Sequence, residues 1–174
     1  PNSVDIDGIG DAVKLTEPFL LVAQHPVTTE FEKNGEYMET ILDSVDEIGM
    51  QSIIFWPNED AGGEKISRAI RKHSASDKPY PRRYVKNLPM EEYIVLMKYT
   101  SCMIGNSSSG IREGAFIGTP FINVGNRQSG REHGKNTSFI NPEAGSFVSE
   151  INKKINVSYS PDFIYGDGFT AEKI

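Results

Sequence analysis

The sequence predicts a three-layer α/β fold, a parallel sheet with helices on both faces. Three observations lead to it. Short apolar runs recur along the chain, a segment with helical spacing of apolar residues follows most of them, and Gly, Pro or Asn punctuates the junctions. Strands separated by helices pair in parallel through crossover connections rather than tight hairpins. A length of 174 residues, 37% of them hydrophobic, suffices for one core and is short for two ordinary domains.

Residues 1–17 are polar and Gly-containing, and are expected to be a linker or the edge of a neighbouring half, leaving 18–174 as the folded unit. Phe19-Leu20-Leu21-Val22-Ala23 reads as the first strand, closed by Gln24-His25-Pro26. Met38, Ile41, Leu42, Val45 and Ile48 then recur at helical spacing until Gly49 stops the helix. Ser52-Ile53-Ile54-Phe55-Trp56 repeats the strand signal ahead of Pro57-Asn58, and a helix follows from about Gly63 to His73. Beyond a loop with Pro79 and Pro81, a short strand is expected around Tyr84-Val85, then a helix from Met90 to Tyr99. Cys102-Met103-Ile104 is the next strand, and a helix after Ser109 runs to about Phe116. Pro120-Phe121-Ile122-Asn123-Val124 is a further strand, a last helix lies between Pro142 and Lys154, and the tail around Tyr165-Gly166-Asp167-Gly168 is rich in turns.

Composition narrows the function. The formal charge of -6 and a pI near 5.1 lack the basic field of a nucleic-acid binder, despite local clusters at Arg82-Arg83 and from Arg127 to Lys135. Cys102 has no second cysteine to pair with, which fits a reducing compartment. No apolar stretch is long enough to cross a bilayer and the start lacks a secretion signal, so a cytoplasmic location is expected. The chain opens on Pro1 without an initiator methionine and is expected to be a piece of something longer.

Several catalytic templates fail. Gly105-Asn106-Ser107-Ser108-Ser109-Gly110 is one residue too long for the G-x-S-x-G elbow of a serine hydrolase. Gly125 to Gly130 has P-loop-like spacing, but Arg131-Glu132 stands where Lys and Ser or Thr are needed. His25, His73 and His133 are far apart, so no metal site is expected. No G-x-G-x-x-G follows the first strand, which argues against a nicotinamide binder.

What remains is a set of polar residues at strand ends: His25, Asn58, Asn87, Ser107 with Ser108, and Arg127. In a parallel sheet these ends share one edge, where open α/β sheets bind their ligands. The small-residue turn at Ser107 leaves helix-start N–H groups and hydroxyls facing outward, which suits phosphate oxygens. Glu113, six residues past Ser107, can accept hydrogen bonds from both hydroxyls of a ribose, while Arg127 pairs with phosphate. The set describes a nucleotide-diphosphate site. Plainer readings stand beside it: Ser107 as a simple N-cap, Glu113 as a solvated first-turn carboxylate, His25 as a structural hydrogen-bond partner, and Arg68 with Arg71 as an ordinary solvated face.

The blocks His25-Pro26-Val27-Thr28-Thr29, Pro57-Asn58-Glu59-Asp60-Ala61-Gly62, Met103 to Glu113, Gly118-Thr119-Pro120, Arg127-Gln128-Ser129-Gly130-Arg131-Glu132 and Tyr165-Gly166-Asp167-Gly168 resemble, in this order, the C-terminal half of UDP-N-acetylglucosamine 2-epimerases. The hydrolysing branch, which opens sialic-acid and related nonulosonic-acid synthesis, is the most similar. The resemblance implies a two-domain glycosyltransferase-B-like architecture, of which residues 18–174 would be a Rossmann-like UDP-binding domain. It places Ser107 and Ser108 on the phosphates, Glu113 on the ribose, Asn58 and Arg127 at the nucleotide, and the backbone near Asn87-Leu88 at the uracil. His25 would sit beside the diphosphate leaving group. It further implies a UDP-sugar substrate, no cofactor, the N-terminal half of the same enzyme as partner, a homo-oligomer at full length, and little activity in this half alone. A diacetylbacillosamine 2-epimerase, another nucleotide-sugar enzyme of glycosyltransferase type, or a non-catalytic nucleotide-binding module remain open.

Overall fold

The computed structural model describes residues 6–155, 157–169 and 172. Seven strands form one sheet: β1 (Ile9–Gly10), β2 (Leu20–Ala23), β3 (Ser52–Phe55), β4 (Arg82–Val85), β5 (Cys102–Gly105), β6 (Phe121–Val124) and β7 (Thr137–Ile140). Their spatial order is β1-β4-β3-β2-β5-β6-β7. Strands β2 to β7 run parallel, and only β1 is antiparallel, paired with β4 through Ile9 opposite Tyr84.

Among the described residues there are six α-helices, α1 (Asn34–Ile48), α2 (Gly63–Ser74), α3 (Met90–Tyr99), α4 (Ser108–Ile111), α5 (Glu113–Ile117) and α6 (Val148–Lys154). Alternate strand residues point to opposite faces, and both faces are covered, which explains why the strands read as continuous apolar runs. Leu20, Val22, Ile54, Ile104 and Ile122 pack with Met38, Ile41, Ile66, Ile70 and Ile151 from α1, α2 and α6. Their neighbours Leu21, Ile53, Met103 and Phe121 pack on the other face with Leu96 and Met97 of α3 and Ile111 of α4. Each such fully buried aliphatic side chain stabilises the fold by roughly 2 kcal/mol.

The sheet grows outward from β2 through β3 to β4, then returns to the far side of β2 with β5. The switch point therefore lies between the carboxyl ends of β2 and β5, the position at which doubly wound sheets open a crevice. Parallel register places Ala23 beside Gly105, so the segments beginning at Gln24 and Asn106 leave the sheet side by side.

The structure adds four local findings. The stretch 1–17, expected as a linker or a neighbour's edge, is described from residue 6, and there it packs on this sheet. Ile6 is buried, and the Arg83 guanidinium donates to the carbonyls of Ile6 and Gly10. Arg82 is buried against His73, so Arg82-Arg83 is structural rather than a free basic patch. Strand β7 carries little apolar signal because, as an edge strand, it is only partly buried. The helix expected after Ser109 starts at Ser108 and splits at Arg112, whose backbone (φ -84, ψ -74) departs from helical geometry.

Gly105 closes β5 at φ +138, and a Cβ there would stand 2.1 Å from the Ala23 carbonyl oxygen. Gly105→Ala should therefore destabilise the protein by about 3 kcal/mol or more, read from denaturant unfolding. Wild-type stability in this variant would show that β2 and β5 can separate at the switch point without cost.

Candidate functional site

The side chain of Asn106 joins the two segments that leave the sheet at the switch point. The His25 backbone N–H donates to Asn106 Oδ1 (2.7 Å), and Asn106 Nδ2 donates back to the His25 carbonyl (2.8 Å). Its own N–H donates to the Ala23 carbonyl at 3.1 Å. The Asn106 carbonyl then accepts from Gln128 Nε2 (2.7 Å) and Arg127 Nη1 (3.2 Å). Asn106 is fully buried, and a donor on one side with an acceptor on the other fixes its amide orientation. The loops after β2, β5 and β6 are thus fastened to one residue.

His25 is half-buried, and its Nδ1 is enclosed without a hydrogen-bond partner among the described residues. Burial, then the positive charge of Arg127, lower its pKa from the ordinary 6.5 to about 4, against a smaller opposing pull from Asp60. The ring is neutral at pH 7. An anion placed beside it would offset the Arg127 charge and draw the pKa upward.

Ser107 occupies the N-cap position of α4 with an extended backbone, yet its side chain makes no cap hydrogen bond. Its Oγ lies instead 2.8 Å from Ser109 Oγ, which is 2.7 Å from the Tyr93 hydroxyl. The plain-cap reading of Ser107 is therefore set aside. The helix it opens is a single turn, so hydroxyls and local N–H groups matter here more than a helix dipole.

The other expected residues share this edge of the sheet without sharing one pocket. Asn58 and Asn87 are exposed and line a 540 Å³ cavity with Trp56, Arg71 and Lys86. Leu88 turns inward and packs against the core. Glu113 opens α5 and lines a second cavity, 380 Å³, with Ile94, Phe116 and Tyr165, which brings the Tyr165-Gly166-Asp167-Gly168 motif to it. Ser108 is half-buried beside Ser107, and Arg127 is exposed apart from its bond to Asn106. His25, Ser107 and Arg127 thus adjoin through Asn106, while Asn58 with Asn87 and Glu113 stand in separate cavities. Among the described residues no cluster of three or more His, Cys, Asp or Glu side chains could hold a metal ion. No helix among them is long and apolar enough to cross a membrane.

Sequence reasoning passed over Asn106, Gln128, Tyr93 and Ser109. An asparagine inside a turn motif reads as a turn residue, and its burial depends on which strand lies beside it.

Residues 3–174 match the family model of UDP-N-acetylglucosamine 2-epimerase, and the chain belongs to that family. It is 33% identical over 149 residues to the UDP-N-acetylglucosamine 2-epimerase of Neisseria meningitidis serogroup B, covering 84% of this chain and 38% of the relative. It is 35% identical over 120 residues to the GDP/UDP-N,N'-diacetylbacillosamine 2-epimerase (hydrolyzing) of Campylobacter jejuni, covering 68% of this chain and 31% of that protein. The solved UDP-GlcNAc 2-epimerase of Methanocaldococcus jannaschii superposes with a TM-score of 0.66 at 14% identity, over 93% of this chain and 45% of its own. The chain thus spans less than half the length of these relatives.

The state of His25 can be read by NMR titration of its ring. Its folded-state pKa lies below the ordinary value, so the unfolded chain takes up the proton first; the stability tied to the neutral ring is complete above pH 6.5 and falls as pH drops towards 4. The ring signal should titrate with a midpoint near 4. A midpoint at 6.5 or above would mean that neither burial nor Arg127 acts on it.

Proposed function

We propose that this member of the UDP-N-acetylglucosamine 2-epimerase family binds the UDP part of a UDP-sugar at the carboxyl edge of its sheet. In the intact protein it would serve a hydrolysing 2-epimerisation. The observation that carries this is the Asn106 junction, which brings a neutral imidazole, a guanidinium and a serine hydroxyl together at the switch point. In this reading Ser107, Ser108 and Arg127 hold the diphosphate by hydrogen bonding and charge. Glu113 accepts from the ribose hydroxyls, and Asn58, Asn87 and the backbone at Leu88 hold the base end of the nucleotide.

The reaction removes the sugar C2 proton and breaks the bond between C1 and the diphosphate oxygen. Water then adds across the resulting C1–C2 double bond to release N-acetylmannosamine, and UDP leaves separately. His25 faces the leaving diphosphate, where negative charge grows as the bond breaks. The neutral ring can donate a hydrogen bond there, and the growing charge favours its protonation. Removing the C2 proton and delivering water are assigned to groups outside this chain. A diacetamido sugar is the second reading, because a relative at 35% identity is named for diacetylbacillosamine.

Assays of the intact protein on UDP-N-acetylglucosamine and UDP-diacetylbacillosamine, following UDP and free sugar, test both readings; turnover of neither sugar overturns them. His25→Ala should lower kcat by about 10²-fold with modest change in KM, whereas Glu113→Gln, which grips an unreacting ribose, should chiefly raise KM. UDP should bind this chain more tightly than uridine. The Ser107→Ala, Ser108→Ala double variant should weaken UDP by about 1–3 kcal/mol. Equal affinity for UDP and uridine would remove the diphosphate site.

A further inference from the structure

Tyr93 stands on α3 with its ring edge-on to Phe55, the centroids 5.4 Å apart at 86°. Its hydroxyl begins a row of three, Tyr93 OH, Ser109 Oγ and Ser107 Oγ, spaced at 2.7 and 2.8 Å. Three hydroxyls carry three protons, and the two bonds between them use two. The direction of donation therefore decides which hydroxyl keeps a free proton; were Ser109 to accept from both neighbours, its own proton would have no acceptor among the described residues.

If Ser107 donated to Ser109 and Ser109 to Tyr93, the phenol proton would need a further acceptor. Among the described residues the phenol is hydrogen-bonded to none outside this serine pair. A phenol is also the stronger donor and weaker acceptor of the three. The opposite direction satisfies the inner end: Tyr93 donates to Ser109, Ser109 donates to Ser107, and the Ser107 proton is left at the outer end. Burial raises the Tyr93 pKa, against a smaller pull from the two serine hydroxyls, so the phenol keeps its proton through the neutral range.

We propose that Tyr93 is a positioning residue that acts through Ser109 to hold the Ser107 proton outward, as a preset donor to a phosphate oxygen of the nucleotide. This rests on the UDP reading above and adds a residue that never touches the ligand. An anion gains most from a donor already aimed at it, because no internal hydrogen bond has to break first. Without Tyr93, Ser107 can turn its proton inward to Ser109, and the phosphate must compete for it. Uridine carries no phosphate and should not sense the change.

The test is a titration of the 174-residue chain with UDP and with uridine, comparing wild type with Tyr93→Phe, which keeps the ring that packs on Phe55. Tyr93→Phe should weaken UDP about tenfold and leave uridine within about twofold. Ser109→Ala removes the acceptor to which Ser107 would turn, and should weaken UDP by less than Tyr93→Phe does. In a Ser107→Ala background Tyr93→Phe should have no further effect, since the donor it directs is gone. Unchanged UDP affinity in Tyr93→Phe, equal losses for UDP and uridine, or additive losses with Ser107→Ala would each overturn the proposal while leaving the UDP reading intact. Failure of the wild-type chain to bind UDP would instead overturn that reading, and the role of Tyr93 with it.

Discussion

The two-way hydrogen bond between the Asn106 side chain and the His25 backbone is the contact on which the rest of the site depends. Parallel strands end in loops that have no ladder to hold them together. Here a buried amide replaces the ladder for one further step past β2 and β5. The close approach is possible because Gly105 has no Cβ to meet the Ala23 carbonyl. Because Asn106 also offers its carbonyl to Arg127 and Gln128, the loop after β6 is drawn to the same point. Losing this side chain would leave the N–H and the carbonyl of His25 without their partner, a larger cost than that of a single exposed hydrogen bond.

The electrostatics follow from that geometry. Arg127 bonds to the Asn106 carbonyl, so a fixed positive charge lies near an imidazole that burial already keeps neutral. Both the exposed cation and the uncharged ring, whose Nδ1 has no partner among the described residues, could receive an anion. A diphosphate beside them would satisfy both and draw the pKa of His25 upward. The contrast with His73 is instructive. That ring is also buried and its pKa also lowered, but Asp46 and the Tyr84 hydroxyl occupy its two nitrogens, so it holds α1, α2 and β4 together and offers nothing to a ligand.

The remaining polar residues are spread along the edge of the sheet. Asn58 and Asn87 border the cavity beyond β3 and β4, whereas Glu113 borders another beside α5 and the tail. A ligand touching all of them would have to be extended, with its charged part at the switch point. A nucleoside diphosphate has that shape and that distribution of charge.

Much of this was readable without coordinates, because strand and helix periodicity are local properties. The runs at Leu20, Ile53, Met103 and Ile122 announce strands wherever they lie, and polar residues just past their ends fall on one edge of any parallel sheet. By itself the sequence determined the alternating α/β class, the side of the sheet that carries the polar residues, and the family resemblance of its blocks. It could not show that Ile9–Gly10 adds an antiparallel edge or that Thr137–Ile140 is a strand, since two residues and a half-polar tetrapeptide have no period to detect. Nor could it show that Asn106 is an internal fastener, that Ser107 bonds sideways to Ser109, or that Tyr93 reaches Ser109 from another helix. Those facts depend on β5 lying beside β2 and α3 lying beside α4. Only the tertiary structure decides such neighbours, because the partners are distant in sequence and meet only when the whole core is packed.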